Sequence, residues 1–535
     1  MIELNGNNTL IFSDLPEVIA KRWHGQVRAS LDVKEFLCLI ECEASHVPDL
    51  CNWLFSELGY SLASLIIEEL PSYWLLRYVF YGEPGSGQIH VSLQSSKSEK
   101  TIPSISRFVH TADWFEREAE DLFGLVFEGH PRLGDFVLHE EWPEGVNPMR
   151  TAFDASCPYI HRELDPDWRP HRIVKAPGVF MMPIGPVFSD AAESAHFLLE
   201  TVGEDVIRTI PRFFYKYRGV EKIAEGRSIG RALLLSERFS GTSAFAHSLA
   251  FCQAIEKIFR IDVSVRVRAL RIILAELERL RHHIAAIAAI CNSTAFAVAT
   301  SQASILEEEA LRLTCTLTGH RYLFGLNAPG GLSMDFSEQA FRSLADAVYK
   351  LFNKLSELKE MLRFSSSFLD RLEEVGIVSR ELAFAYGLVG PIARASGIAR
   401  DLRKVLPYSG YENIAFDVPG EQESDGYARL RLLFSEAEQS VNIIRNVALS
   451  MPDGEVTPPR FEVTPGSALG WAEAPRGATF HWVRIRGDGR VGRYRLTTPS
   501  FTNWHGFHLA SEDFAFQDFP IIMATFGLSN AECDR

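Results

Sequence analysis

The chain has 535 residues, 46% hydrophobic and 23% charged, with 54 Lys and Arg against 69 Asp and Glu for a net charge of −15. This is globular composition, with material for about two to four domains. So acidic a balance argues against a broad phosphate-binding surface, and nucleic acid is not an expected partner.

The opening Met1-Ile2-Glu3-Leu4-Asn5 lacks a basic stretch followed by an apolar one, so no secretory signal is expected. The first third then reads as mixed α/β. Trp74 to Tyr81 and Gln88 to Leu93 are rich in aromatic and β-branched residues, which predicts two strands. Gly82-Glu-Pro-Gly-Ser-Gly87 between them reads as a hairpin loop; its spacing is wrong for a dinucleotide fingerprint and no helix follows. From Asn147 to Lys175, Pro148, Pro158, Pro166 and Pro170 alternate with charges and histidines, a pattern that punctuates regular structure and reads as an ordered linker.

A mostly helical body is expected beyond it. Leu270, Ile273, Leu274, Leu277, Leu280, Ile284 and Ile287 recur at three- and four-residue steps, marking one buried helix face from Val265 through Leu280 and beyond. The apolar run from Ile284 to Thr300 is interrupted by Asn292, Ser293 and Thr294, short of the roughly 18–20 residues that span a bilayer. No transmembrane segment is expected, and membrane association would come through a partner. A second helical stretch covers about 341–372, and Phe480 to Arg486 and Arg490 to Thr497 read as strands joined at Gly487-Asp488-Gly489. The fold class predicted is α+β: an N-terminal α/β domain over residues 1–146, a linker over 147–175, and a mainly helical domain with small peripheral β-hairpins over 176–535. None of the eight cysteines forms a Cys-x-x-Cys pair, so no local zinc or iron-sulfur framework shows, and their scatter fits a reducing compartment.

Several segments carry a family resemblance. Glu116-Arg-Glu-Ala-Glu-Asp-Leu-Phe-Gly-Leu-Val-Phe-Glu-Gly-His-Pro131 resembles the signature of the 30 kDa subunit of respiratory complex I, although Leu133 and Gly134 stand where that family carries basic residues. Trp114, Phe115, Leu122 and Phe123 are expected to pack this helix. The acidic cluster Glu116, Glu118, Glu120 and Asp121 is expected to face partly outward, as a solvated face or a docking surface. The rest of the chain resembles the 49 kDa subunit of complex I and, more closely, the large subunit of group 4 nickel-iron hydrogenases such as those of hydrogenase-4 and formate hydrogenlyase. The resemblance rests on Phe214-Tyr-Lys-Tyr-Arg-Gly-Val-Glu-Lys222, Ala275-Glu-Leu-Glu-Arg279, Thr318-Gly-His-Arg321, Tyr386 to Asp401, Phe416-Asp-Val-Pro419 and Glu473-Ala-Pro-Arg-Gly477.

In those hydrogenases two Cys-x-x-Cys pairs hold the nickel-iron centre. The segments that resemble them, Glu237 to His247 and Leu528 to Arg535, carry Ser240, Ser243, Ser529 and Glu532 at the four ligand positions. Soft metals in such sites take thiolates; a serine hydroxyl is a poor substitute, and a carboxylate favours hard cations. A nickel-iron centre is therefore not expected, nor any cofactor bound tightly by this chain.

Complex I instead accepts a quinone head group in this cavity, and the resemblance makes a quinone-like acceptor the first candidate. Of two family histidines, Phe188 replaces the first and His196 stands at the second; the quinone-partner tyrosine position is Gly241. Glu221 matches a carboxylate implicated in proton movement, and the open alternative for it is an ion pair with Lys222 or an arginine. His247 matches a hydrogenase histidine beside the metal. His196, Glu221 and His247 are the candidate proton carriers, and His196, Arg394 and Arg476 the candidate cavity lining. Core hydrogen bonding is the competing role for the histidines and fold-stabilising ion networks for Arg394, Arg400, Asp401 and Arg476; Tyr215 is read as packing. The resemblance also implies the partners: an iron-sulfur subunit resembling the 20 kDa subunit, whose cluster would deliver electrons, and membrane subunits including antiporter-like proteins, with this chain peripheral on the cytoplasmic side. Two further readings stay open, a catalytically silent coupling scaffold and a hydrogenase with unusual ligands.

Overall fold

The computed structural model describes residues 2–3, 9–163, 173–188 and 193–535. Met1, Leu4, Asn5, Pro166 and Pro170, named above, lie outside these. Helices and several separate sheets give the α+β class expected, and the chain divides into two compact units.

The first unit comprises residues 1–175 with two short segments from later in the chain, 213–217 and 384–387. Its centre is a five-stranded sheet of β1 (Arg28–Asp32), β2 (Leu37–Glu41), β3 (Ser61–Glu69), β4 (Tyr73–Tyr81) and β5 (Gln88–Ser96). The order is β1-β2-β5-β4-β3, antiparallel except for the β2–β5 pair. β4 and β5 are the expected hairpin, with Tyr81 opposite Gln88 across the Gly82–Gly87 loop. Alternate side chains of β4, Trp74, Leu76 and Tyr78, are buried, as the period of two requires.

Helix α1 (Ala112–Phe123) carries the acidic signature and buries Trp114, Phe115, Leu122 and Phe123. Its acidic cluster faces outward only in part, Glu120 and Asp121 being half-buried. Glu116 and Glu118 are buried, and three of the carboxylates are engaged by local backbone. Glu116 accepts from Ile105 N–H at 2.9 Å and from Ser104 Oγ; Asp121 accepts from the N–H groups of Phe136, Val137 and Leu138; Glu120 accepts from Gly134 N–H. Loop amides that no strand pairs must find acceptors elsewhere, and the helix supplies them. Burial pushes Glu116 up to about 7. The described part of the proline-rich stretch is tied to the same unit, Arg150 and Thr151 both donating to Glu69.

The second unit opens with β6 (Phe180–Ile184), β7 (His196–Val202) and β8 (Asp205–Arg212). Helices follow: α2 (Val220–Ala224), α3 (Ile229–Arg238), α4 (Ala244–Phe259), α5 (Val265–Ser293), α6 (Ala297–Thr318), α7 (Glu338–Arg363), α8 (Gly390–Ala395) and α9 (Gly426–Leu449). A meander of β9 (Gly466–Ala474), β10 (Gly477–Ile485) and β11 (Val491–Thr497) comes next. Then α10 (Pro499–Ala510), β12 (Glu512–Ala515), which joins the first three strands in the order β6-β7-β8-β12, and α11 (Phe519–Phe526) close the chain.

The predicted stripe of α5 is buried throughout, but so is most of its other face, including Arg271, Glu276, Glu278, Arg279, Arg281, His282 and His283. A charge taken from water needs a partner. Arg271 pairs with Glu256 of α4 at 2.6 Å, and Glu278 accepts from the Phe245 and Ala246 N–H groups at the start of α4. α7 begins where Ser337 accepts from Ala340 N–H and ends at Arg363, short of the stretch expected. β10 and β11 pair as predicted; β9, which completes the meander, is not among the strands expected. It needs Gly470, where a Cβ would sit 1.9 Å from the Ala250 carbonyl of α4. The pair Gly390 and Gly477, both at positive φ, likewise lets α8 meet the Arg476-Gly477 turn backbone to backbone. Among the described residues no helix is long and apolar enough to cross a membrane.

Gly470→Ala would force α4 and β9 apart. Chemical denaturation is expected to show a loss of about 3 kcal/mol, whereas an unchanged midpoint would mean that α4 and β9 do not pack at this distance.

Candidate functional site

The site forms where the turn before α4 meets the chain after α11. Arg218, from the Phe214–Lys222 signature, ties them: Nη1 donates to Phe239 O at 2.9 Å, Nε to Asp534 O at 2.9 Å, and Nη2 to Ala531 O. Thr498, which also caps α10 with Pro499 following it, donates through Oγ1 to Glu532 O at 2.8 Å. Ser240, Ser243, Ser529 and Glu532, which the resemblance set at ligand positions, therefore converge. Ser240 Oγ and Ser243 Oγ donate to Glu532 Oε1 at 3.1 and 3.2 Å; Ser529 N–H donates to Ser500 Oγ at 3.1 Å, and Ser500 Oγ donates to Glu532 Oε2. Ser529 Oγ turns to Glu193.

Glu532 is fully buried and receives Arg476 Nη1 on Oε1 at 3.4 Å. Burial alone would raise a carboxyl; here the Arg476 charge, His247 and the Ser500 hydroxyl outweigh it and hold Glu532 down to about 2. His247 Nε2 faces the carboxylate at 3.8 Å, an ion-pair separation rather than a hydrogen bond. Behind it runs a buried polar chain: His247 Nδ1 to His481 Nε2 at 3.1 Å, and His481 Nδ1 to Tyr494 OH at 2.8 Å. His481 is held well below its ordinary value by burial and by His247, and so is neutral.

Apart from Arg476, the other candidates lie away from this cluster. Glu221 starts α2 and accepts from Leu496 N–H at 2.8 Å; Arg495 reaches the same oxygen at 3.3 Å and Arg535 at 3.6 Å, while Lys222 pairs instead with Glu225. His196 opens β7 opposite Arg212, half-buried, its pKa lowered by burial and then by that arginine. Arg394, fully buried on α8, sits inside an ion network with Glu436 at 2.7 Å, Glu473 at 2.8 Å and Asp401 at 3.6 Å; Asp401 in turn binds Arg403, and Arg403 binds Glu276. Arg476 does line a small cleft, with His282, Pro391, Arg429 and Phe526. Tyr215 packs edge-on to His139 in the first unit. Sequence reasoning missed Arg218, Ser500, His481 and Tyr494. Thr498-Pro-Ser500 carried a readable helix-start signal, whereas the partnership of His481 and Tyr494 depends on β10–β11 register and had none.

Residues 40–158 match the model of the 30 kDa subunit of respiratory-chain NADH dehydrogenase, and 294–465 with 458–535 that of the 49 kDa subunit. The chain is 29% identical over 508 residues to formate hydrogenlyase subunit 5 of Escherichia coli, covering 93% of this chain and 88% of that one. It is 29% identical to hydrogenase-4 component G of the same organism (82% and 76%) and to the C/D subunit of the NADH-quinone oxidoreductase of Bdellovibrio bacteriovorus (71% and 68%). The chain belongs to the family of fused 30 kDa/49 kDa-type subunits of complex I and the related hydrogenases.

A carboxyl held from an ordinary 4.5 down to about 2 favours the folded state above pH 4.5 and loses that contribution as pH falls toward 2, an effect of about 3 kcal/mol. Urea denaturation across that window should therefore show a shallower acid decline in Glu532→Gln than in the native chain; parallel curves would mean that the carboxylate is not ionised in the fold.

Proposed function

We propose that this chain is an oxidoreductase subunit of a membrane-associated complex, passing electrons from a partner iron-sulfur subunit to a quinone-like or other small acceptor without a nickel-iron site of its own. The observation that carries the reading is the carboxylate at the heart of the converged segments. Nickel and iron in a hydrogenase-type site are gripped by thiolates, and here the corresponding atoms are three hydroxyl oxygens and one carboxylate already engaged by Ser240, Ser243, Ser500 and Arg476. The donor set does not fit the metal. Glu532 supplies the negative charge that faces Arg476 in its place. The relatives named are numbered or lettered parts of formate hydrogenlyase, hydrogenase-4 and NADH-quinone oxidoreductase, which supports partners of the complex I type: an iron-sulfur subunit resembling the 20 kDa subunit, and antiporter-like membrane proteins. In this reading residues 176–535 hold the acceptor cavity, and the chain is peripheral on the cytoplasmic side.

Reduction of a quinone by two electrons consumes two protons. His196, half-buried with a lowered pKa, is a neutral imidazole suited to hydrogen-bond a carbonyl, and His247 with Glu221 are the buried groups assigned to move protons inward. The second reading, a silent scaffold that couples the arms of the complex, is favoured by one observation: Glu221 already binds Arg495, Arg535 and the Leu496 amide, as a structural carboxylate would.

His196→Ala and Glu221→Gln in the intact complex separate the two. Loss of a proton-transfer group is expected to slow electron transfer to a quinone by about a hundredfold or more with assembly intact. Unchanged rates to every acceptor in an assembled complex would establish the scaffold instead.

A further inference from the structure

The polar groups behind Glu532 fix where a hydrogen sits. Thr479 and His481 stand two residues apart on β10, so both project from one face of the meander, against His247 of α4. On β11, Tyr494 lies opposite Val483 and therefore diagonal to His481 on that same face. All four side chains are fully buried. Each polar hydrogen among them must find its acceptor in a neighbour.

The order of donors follows from the tyrosine. Among the described residues the Tyr494 hydroxyl has one hydrogen-bond partner, His481 Nδ1 at 2.8 Å. A buried phenol with a single partner donates to it. His481 Nδ1 is then an acceptor, and since an imidazole keeps at least one N–H, the hydrogen of His481 lies on Nε2. From there it is donated to His247 Nδ1 at 3.1 Å. By the same logic His247 carries hydrogen on Nε2, and that N–H faces Glu532 Oε1 at 3.8 Å. The opposite order fails twice: the Tyr494 O–H would have no acceptor, and the His247 Nε2 lone pair would point at the Glu532 carboxylate. Thr479 Oγ1, 3.2 Å from His247 Nδ1, fits the first order, because its hydrogen can turn from the Thr497 carbonyl, at 2.9 Å, to that nitrogen.

We infer that Tyr494 and His481 are positioning residues that hold the His247 hydrogen on Nε2, so that His247 meets the Glu532 pocket as a hydrogen-bond donor. Ser240, Ser243 and Arg476 donate into the same pocket. A wall made of donors suits a ligand atom that only accepts, and the carbonyl oxygen of a quinone-like molecule is such an atom. That choice of ligand rests on the function proposed above; the order of hydrogens does not.

Nitrogen NMR of the full-length chain with isotope-labelled histidines, at about pH 7, reads the order directly. His247→Gln and His481→Gln assign the signals. In the native chain both rings are expected to show hydrogen on Nε2 and a bare, pyridine-like Nδ1. Tyr494→Phe removes the one donor to His481 Nδ1 and should shift that signal. His481→Leu removes the donor to His247 Nδ1 and leaves Thr479 Oγ1 as its neighbour, so this nitrogen should gain hydrogen and move to the pyrrole-like range. His481→Gln, whose amide N–H replaces the lost donor, should restore the native His247 pattern. Hydrogen on His247 Nδ1 in the native chain, or an unmoved Nδ1 signal in His481→Leu, would overturn the inference. Should His481→Leu fail to fold by circular dichroism, the native pattern and Tyr494→Phe still decide. An assembled complex that reduces no quinone would count against the proposed function alone, because these signals are read from the chain itself.

Discussion

The Glu532 carboxylate and its donors are the interaction on which the C-terminal unit turns. A bare carboxylate at zero exposure would cost several kcal/mol or take up a proton. It stays charged because the Ser240, Ser243 and Ser500 hydroxyls and the Arg476 guanidinium converge on its two oxygens. Those donors come from the turn before α4, the start of α10 and the turn between β9 and β10. One buried charge thus ties three separated stretches to the last few residues of the chain, with Arg218 holding the frame from outside.

Arg476 is itself placed by a second buried system. Glu473, three residues earlier, binds Arg394, whose guanidinium also meets Glu436, while Arg279 donates to the Glu473 carbonyl at 2.6 Å. Glu436 in turn accepts a hydrogen bond from His283 Nε2 at 2.8 Å, so the network runs from α5 through α8 and α9 to the end of β9. Removing one partner of such a network leaves an uncompensated charge and costs about 3–5 kcal/mol. The Gly390–Gly477 contact completes the placement, because any side chain there would push the Arg476 turn away from the pocket. Two signature segments, Tyr386–Asp401 and Glu473–Gly477, thus act as one structural device.

Where a single periodic signal governed an element, it was legible. The β4–β5 hairpin, the stripe on α5 and the β10–β11 hairpin follow from alternation, helical spacing and turn residues. What could not be read were partnerships across distance. The acidic run of α1 looks solvated until the unpaired amides of Phe136, Val137 and Leu138 are seen facing Asp121. Segments 213–217 and 384–387 join the first unit through the packing of Trp114 on Phe213 and the stacking of Phe55 on Phe384, which no local pattern announces. At the site, the resemblance pointed to Ser240, Ser243, Ser529 and Glu532, but only the fold adds Ser500, His481 and Tyr494. Spacing does not encode which strand register meets which helix end.

The pocket is thus chemically an oxygen and nitrogen site, organised around an internal carboxylate whose two oxygens are engaged by hydroxyls and a guanidinium. Elemental analysis of the intact purified complex tests this most directly. Nickel at background level, alongside iron and sulfide from the partner's cluster, is the result predicted; one nickel per copy of this chain, bound between the Ser240 turn and Glu532, would contradict it.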